Sequence, residues 1–184
     1  MLAQLKIITI AGVILLTTAC TAVAPKYQAQ VSNVDKLSVV TKDVQVSDFK
    51  INKKLNSISL RGSSLESPVE KSFAKYIENA LILELSKAKL YNDLSPRIIS
   101  AEVVKNDLDA SGFSTGEGII SVAFTITENE QSLFEKTITS KVTWESSFIG
   151  AVAIPNAISS YPKLISTLLA DLYSDEDFIN ALKS

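Results

Sequence analysis

Cys20 is the only thiol in this 184-residue sequence, and the sequence contains no histidine. The first fact leaves no partner for an internal disulfide and no Cys-rich metal cluster. The second removes the commonest general base, the Ser-His and Cys-His nucleophile pairs, and every His-containing metal site. Ser72-Phe73-Ala74-Lys75 matches Ser-x-x-Lys by letters, but both polar residues fall on the polar side of a helical pattern, outside a strand-turn-helix elbow. Asp107, Asp109, Glu117, Asp175, Glu176 and Asp177 are carboxylates of loops or of a helix start. The last three fit capping and the helix dipole better than calcium. Gly112, Gly116 and Gly118 lack the strand-to-helix setting of a phosphate cradle and read as hairpin geometry. The expectation is no catalytic residue, no metal and no cofactor. Formal charge is −2 with a pI near 5.3, so no basic surface is available for nucleic acid.

What remains is the thiol and its setting. Met1 to Cys20 holds one charge, Lys6, followed by the apolar run Ile7–Leu16. That run is too short for a membrane span, which needs about 20 residues, and it has the layout of an export leader. Leu16-Thr17-Thr18-Ala19-Cys20 resembles the bacterial lipobox, where a small residue precedes the modified cysteine. The resemblance implies cleavage between Ala19 and Cys20, a diacylglycerol thioether on the Cys20 sulfur and acylation of the new amine. It also implies outer-membrane delivery facing the periplasm of a Gram-negative bacterium, because Thr21 is not the Asp that marks inner-membrane retention. Several chains are needed for firm anchoring, since one acyl chain gives only marginal binding. Removing residues 1–19 takes Lys6 from the total and leaves a mildly acidic chain of formal charge −3.

The elements behind Cys20 follow from periodicity. Residues 20–36, with Pro25 and no sustained period, read as a lipidated cysteine and flexible tether. Pairing of part of this segment as an edge strand is the alternative. Residues 37–184 read as one domain. Val-rich alternation from Leu37 to Ile51 and again at Asn56–Leu60 predicts N-terminal strands, with a loop at Arg61–Ser64. Ser67-Pro68-Val69-Glu70 has the form of a capping box and predicts a helix start. Val69, Phe73, Ile77, Leu81 and Leu85 then make the apolar stripe of one long amphipathic helix ending near Leu90. Ile99, Ala101 and Val103, then Ile120 to Ile126, then Phe134 to Trp144 predict a three-stranded antiparallel meander, with a long hairpin loop over Asp107–Gly118. Pro162 is expected to open a C-terminal helix carrying Leu164, Leu168 and Leu172. The expected class is α+β: an antiparallel sheet with the long helix and the C-terminal helical segment on one face.

That order behind a lipobox looks like the YajG-type small envelope lipoproteins and, more distantly, the auxiliary lipoproteins of ABC-type lipid transport systems. The likeness runs from about Val44 to Leu182 and is strongest over Thr137–Leu182. It implies a non-enzymatic accessory or binding lipoprotein, held to the membrane by its lipid, with other envelope proteins or a lipid as partners. The ranked alternatives are a hydrophobe-binding component of an envelope transport complex, with a cavity beneath the long helix, and then a Ser- or carboxylate-dependent hydrolase or transferase. Trp144, Phe148, Ile149, Val152 and Ile154 form a candidate hydrophobic contact patch. The favoured reading of Phe148–Pro155 is a connection that packs inward and completes the core; a lipid-facing lip or partner surface is the alternative.

Overall fold

A computed structural model of the chain describes residues 21–183. The elements in order are β1 (Thr21–Val23), α1 (Val31–Lys36), β2 (Gln45–Ile51), β3 (Ile58–Leu60), β4 (Ser63–Glu66), α2 (Phe73–Lys87), β5 (Arg97–Asp109), β6 (Thr115–Glu128), β7 (Gln131–Glu145), α3 (Gly150–Ser174) and α4 (Glu176–Lys183). The fold is α+β, as expected. The meander β5-β6-β7 is antiparallel, and its apolar residues Ile99, Val122, Phe124, Ile126 and Ile138 are buried beneath α2 and α3.

The sheets are mixed where a purely antiparallel arrangement was expected. β2 joins β5 in parallel, giving the order β2-β5-β6-β7. A parallel neighbour requires a crossover, and α2 lies between β2 and β5 in sequence to provide it. A second sheet, β1-β4-β3, pairs β1 in parallel with β4. The β3–β4 connection is a two-residue turn, Arg61-Gly62, with both residues at positive φ (46° and 86°). That is the backbone twist a tight hairpin asks for.

The long helix starts later than its capping box predicts. Glu70 and Lys71 both take positive φ, so Ser67 closes only a local turn through its hydroxyl and the Val69 N–H. Ser72 is the cap, accepting from the Lys75 N–H at 3.3 Å, and Asn56 accepts from Phe73 N–H at 2.8 Å. Lys75 is engaged with Glu78 at 2.8 Å. Both letters of the Ser-x-x-Lys match therefore have structural uses.

α3 also departs from expectation. It begins at Gly150 and runs through Pro155 and Pro162. A proline inside a helix costs about 3 kcal/mol. The stripe Ala153, Ala157, Tyr161, Leu164, Leu168 and Leu172, each at 0% exposure, offsets that cost by packing, which is where most helix stability in proteins originates. Finally, the Asp107–Gly118 loop is shorter than expected, because β5 and β6 extend into it and leave only residues 110–114.

The C-terminal end is fastened by two charged contacts. Arg97, 1% exposed, donates to the Ala181 carbonyl at 2.9 Å and pairs with Glu128 at 3.0 Å. Asp175 caps α4 by accepting from the Asp177 and Phe178 N–H groups and meets Lys136 at 2.6 Å. Burial alone would raise the Asp175 pKa, but the bond from Lys136 and the backbone donors outweigh it and hold the carboxyl below its usual 3.8. A depressed carboxylate stabilises the fold above its unfolded pKa and loses that contribution as pH falls through the folded one. Asp175→Asn keeps the cap and loses the charge. The expected result is a deficit of about 0.5–1 kcal/mol at pH 7 that closes below the folded Asp175 pKa. Urea melts at a series of acidic pH values check this; a deficit independent of pH would contradict it.

Candidate functional site

Cys20 and Ala19 lie outside the described residues; Thr21, their neighbour, begins β1. Thr21 pairs with Ser64, and Val23 pairs with Glu66. The pairing continues as Ala24 N–H donates to the Glu66 carbonyl at 2.9 Å. The segment expected as a flexible tether is therefore attached to the domain along much of its length. Tyr76 donates its hydroxyl to the Pro25 carbonyl at 2.7 Å. Lys36 donates to the Ala170 carbonyl and to Ser174 Oγ at the far end of α3.

Between these points the segment converges on one carboxylate. Glu84 of α2 is fully buried, and its Oε1 accepts from Tyr27 Oη at 2.5 Å, Gln30 N–H at 3.1 Å and Asn33 Nδ2 at 3.3 Å. Asn33 also donates to the Ser166 carbonyl at 3.0 Å, bridging α1 to α3. A buried carboxylate is tolerated when donors replace its water. Burial first, then the Glu84 hydrogen bond and charge, push the Tyr27 pKa well above its ordinary value. Burial followed by the same charge does so for Tyr173. Both phenols therefore stay protonated throughout the physiological range. The polar composition of residues 21–36 resembles a tether, but the Tyr27 and Asn33 side chains and the Gln30 backbone N–H are donors to Glu84 Oε1.

At the end of the molecule where β1 begins, three connections meet: the Arg61-Gly62 turn, the β5–β6 loop and the β7–α3 connection. Arg61 joins them. Its Nε donates to the Ala110 carbonyl at 2.6 Å, Nη1 to Phe148 at 2.9 Å and Nη2 to Gly112 at 3.3 Å. Above this clamp Phe113 and Phe148 stack in parallel, ring centroids 5.7 Å apart. They are 78% and 74% exposed, with Ile149 at 61% and Val152 at 46%. This corrects the expectation that Phe148–Pro155 packs inward. α3 starts at Gly150, and of its first turn and a half only Ala153 falls on the buried stripe, so the others point away. Of the five patch residues, Phe148, Ile149 and Val152 are exposed, whereas Trp144 and Ile154 are half-buried. Phe113 was missed, although it sits among small polar residues where a buried aromatic has little to pack against.

Trp144 instead packs on the sheet. It pairs with Gly116 across β6 and β7, and a Cβ on Gly116 would lie 2.4 Å from its indole ring. Gly118 faces the same side chain, at 3.3 Å. These glycines are strand positions that make room for an aromatic, a pairing known to compensate glycine in sheets. Gly116→Ala is expected to displace the indole, cost about 1–3 kcal/mol by overpacking, and red-shift fluorescence. Trp144 is the chain's only Trp, so emission reports that site alone. An unshifted spectrum with unchanged stability would contradict the packing described.

No protein-family model matches the sequence, and no curated protein does. The solved structures decide the fold. The chain shares its fold with protein XCC0632 from Xanthomonas campestris, whose family model is DUF330. The TM-score is 0.59 at 9% identity, over 83% of this chain and 92% of that one. A candidate lipoprotein from Caulobacter crescentus aligns over 84% of this chain and 98% of its own, at 11% identity and a TM-score of 0.47.

Other expected features can be placed on the same fold. The space beneath α2 and α3 is filled by Phe73, Tyr76, Phe124, Tyr161 and Leu164, where a hydrophobe-binding cavity was the alternative. A groove of about 480 Å³ lies on the outer side of α2 instead, between Tyr27, Val69, Tyr76 and Leu83. Among the described residues no helix is long and apolar enough to cross a membrane, and no group of three or more His, Cys, Asp or Glu side chains is placed to hold a metal ion.

Proposed function

We propose that the chain is a lipoprotein of the bacterial cell envelope, acylated at Cys20, that serves as a non-enzymatic accessory or binding component. The observation that carries this is Cys20 itself: the only cysteine, directly after an apolar run and Ala19, and one residue before the folded domain begins. A leader followed at once by structure supports a lipid attached at the domain's edge. The absence of His and the structural engagement of Ser72 and Lys75 support the non-enzymatic reading. Thr21 in place of Asp supports outer-membrane delivery facing the periplasm. The likeness to YajG-type and ABC-auxiliary lipoproteins supports an accessory role beside other envelope proteins or a lipid.

Metabolic labelling with radioactive palmitate tests the reading. Label is expected in the wild-type protein and absent from Cys20→Ser. Label retained in Cys20→Ser would overturn it.

A further inference from the structure

We infer that the apolar end formed by Phe113, Phe148, Ile149 and Val152 is a membrane-contacting face, which seats the domain against the bilayer that its own lipid enters. The inference rests on the acylation of Cys20 proposed above and adds an orientation to it.

The placement follows from strand direction. β1 runs parallel to β4, so Thr21 lies beside Ser64, at the end of β4 that follows the Arg61-Gly62 turn. Arg61 reaches from that turn to the carbonyls of Ala110, Gly112 and Phe148. One strand spacing, two residues of strand and one arginine side chain separate Thr21 from the aromatic pair, within roughly 20 Å in all. Cys20 is a single peptide bond away from Thr21. Because residues 21–36 are bonded to the domain, no long leash separates the acyl chains from this end. It is held at the bilayer surface whatever the rest of the molecule does.

The chemistry of the end suits that position. Ala110 to Gly116 and Ser146 to Val152 contain no Asp, Glu, Lys or Arg. Small hydroxyl residues flank the phenyl rings in sequence. The Arg61 guanidinium beneath them is turned onto the Ala110, Gly112 and Phe148 carbonyls, so in shallow entry that charge stays hydrogen-bonded at headgroup level. Asp109 and Glu145 flank the two segments at their strand ends, and no lysine stripe is present to seek anionic lipid. The contact is therefore apolar and works on neutral lipids. The opposite end, where β6 turns into β7, carries Glu128 and Glu130. A patch this small would bind a membrane weakly from solution; with the lipid already inserted, its effective concentration is high and it needs only to choose an orientation.

Nitroxide labelling of the acylated protein tests this. The natural thiol is blocked by its lipid, so Phe148→Cys introduces one labelling site, Phe113→Cys a second with Phe148 intact, and Glu130→Cys a control at the far end. In phosphatidylcholine vesicles, the label at 148 or 113 is expected to show a ratio of oxygen to water-soluble nickel accessibility roughly tenfold above that at 130. Equal, water-like ratios at all three sites, with acyl groups on Cys20 confirmed by mass, would overturn the inference and leave the lipoprotein reading standing. Spin–spin broadening between labels at 148 would assign the face to a second copy and overturn it too. A Cys20 without acyl groups would remove both. Phe113 and Phe148 are three-quarters exposed, so neither substitution threatens the fold, and Trp144 emission confirms it.

Discussion

Cys20→Ser is expected to abolish lipid-dependent membrane attachment. The wild-type protein should sediment with membranes through high salt and alkaline washing, because acyl chains contribute about 0.8 kcal/mol per buried methylene and two or more make attachment stable. A hydroxyl in place of the thiol leaves nothing for the diacylglycerol to join. The mature domain retains a mildly acidic surface, and among its described residues no helix is able to span a bilayer. The variant should therefore be released on membrane washing, or stay behind only as a precursor with residues 1–19 still attached. Fractionation followed by mass measurement separates these outcomes. An acylated Cys20→Ser protein in the membrane fraction would refute the assignment of the attachment site. The membrane-contacting end does not rescue the variant, since that contact is effective only when the lipid supplies proximity.

Glu84→Ala is expected to produce the largest structural effect of the described residues that touch the anchor segment. Its removal leaves Tyr27 Oη, Gln30 N–H and Asn33 Nδ2 without their shared acceptor. Each buried donor left unpaired costs about 1–3 kcal/mol, but residues 24–36 can peel away, and the cost of peeling caps the total. A net loss of about 3 kcal/mol corresponds to a fall in Tm of roughly 6–12 °C for a domain of this size. It also raises the open population of the segment by about two decades, so tryptic cleavage after Lys26 and Lys36 should accelerate about a hundredfold. Glu84→Gln, which keeps one carbonyl acceptor, should fall between. Unchanged cleavage in Glu84→Ala would mean that the segment is held elsewhere. If β1 peels away with it, Cys20 gains a leash of about fifteen residues and the domain loses its fixed pose at the bilayer.

The parts of this fold legible in the sequence are those set by local period. Alternation of Ile120, Val122, Phe124 and Ile126 marks a half-buried strand, and the four-residue spacing from Phe73 to Leu85 marks a helix packed on one side. Long-range polar bonding has no such signature. Tyr27, Gln30 and Asn33 look like tether residues until Glu84 is placed opposite them. The available hint was that Glu84 shares its helical phase with Ile77 and Leu81, so a carboxylate was being directed into the core. Ser67 and Glu70 carry the letters of a capping box, yet positive φ at Glu70 and Lys71 delays the helix to Ser72. Pro162 has the form of a helix start, but the buried stripe from Ala153 to Leu172 continues through it. At the candidate site, the reading of Cys20 rests on its sequence neighbours alone. The aromatic end was only half visible, because Phe113 and Phe148 lie far apart in sequence and meet through the meander and the Arg61 clamp.

Tandem mass spectrometry of the N-terminal tryptic peptide of the membrane-extracted protein reads the anchor itself. The expected peptide begins at Cys20 and ends at Lys26, with a diacylglyceryl group on sulfur and an acyl group on the α-amine. A peptide that begins before Cys20, or a Cys20 with a free thiol, would contradict it.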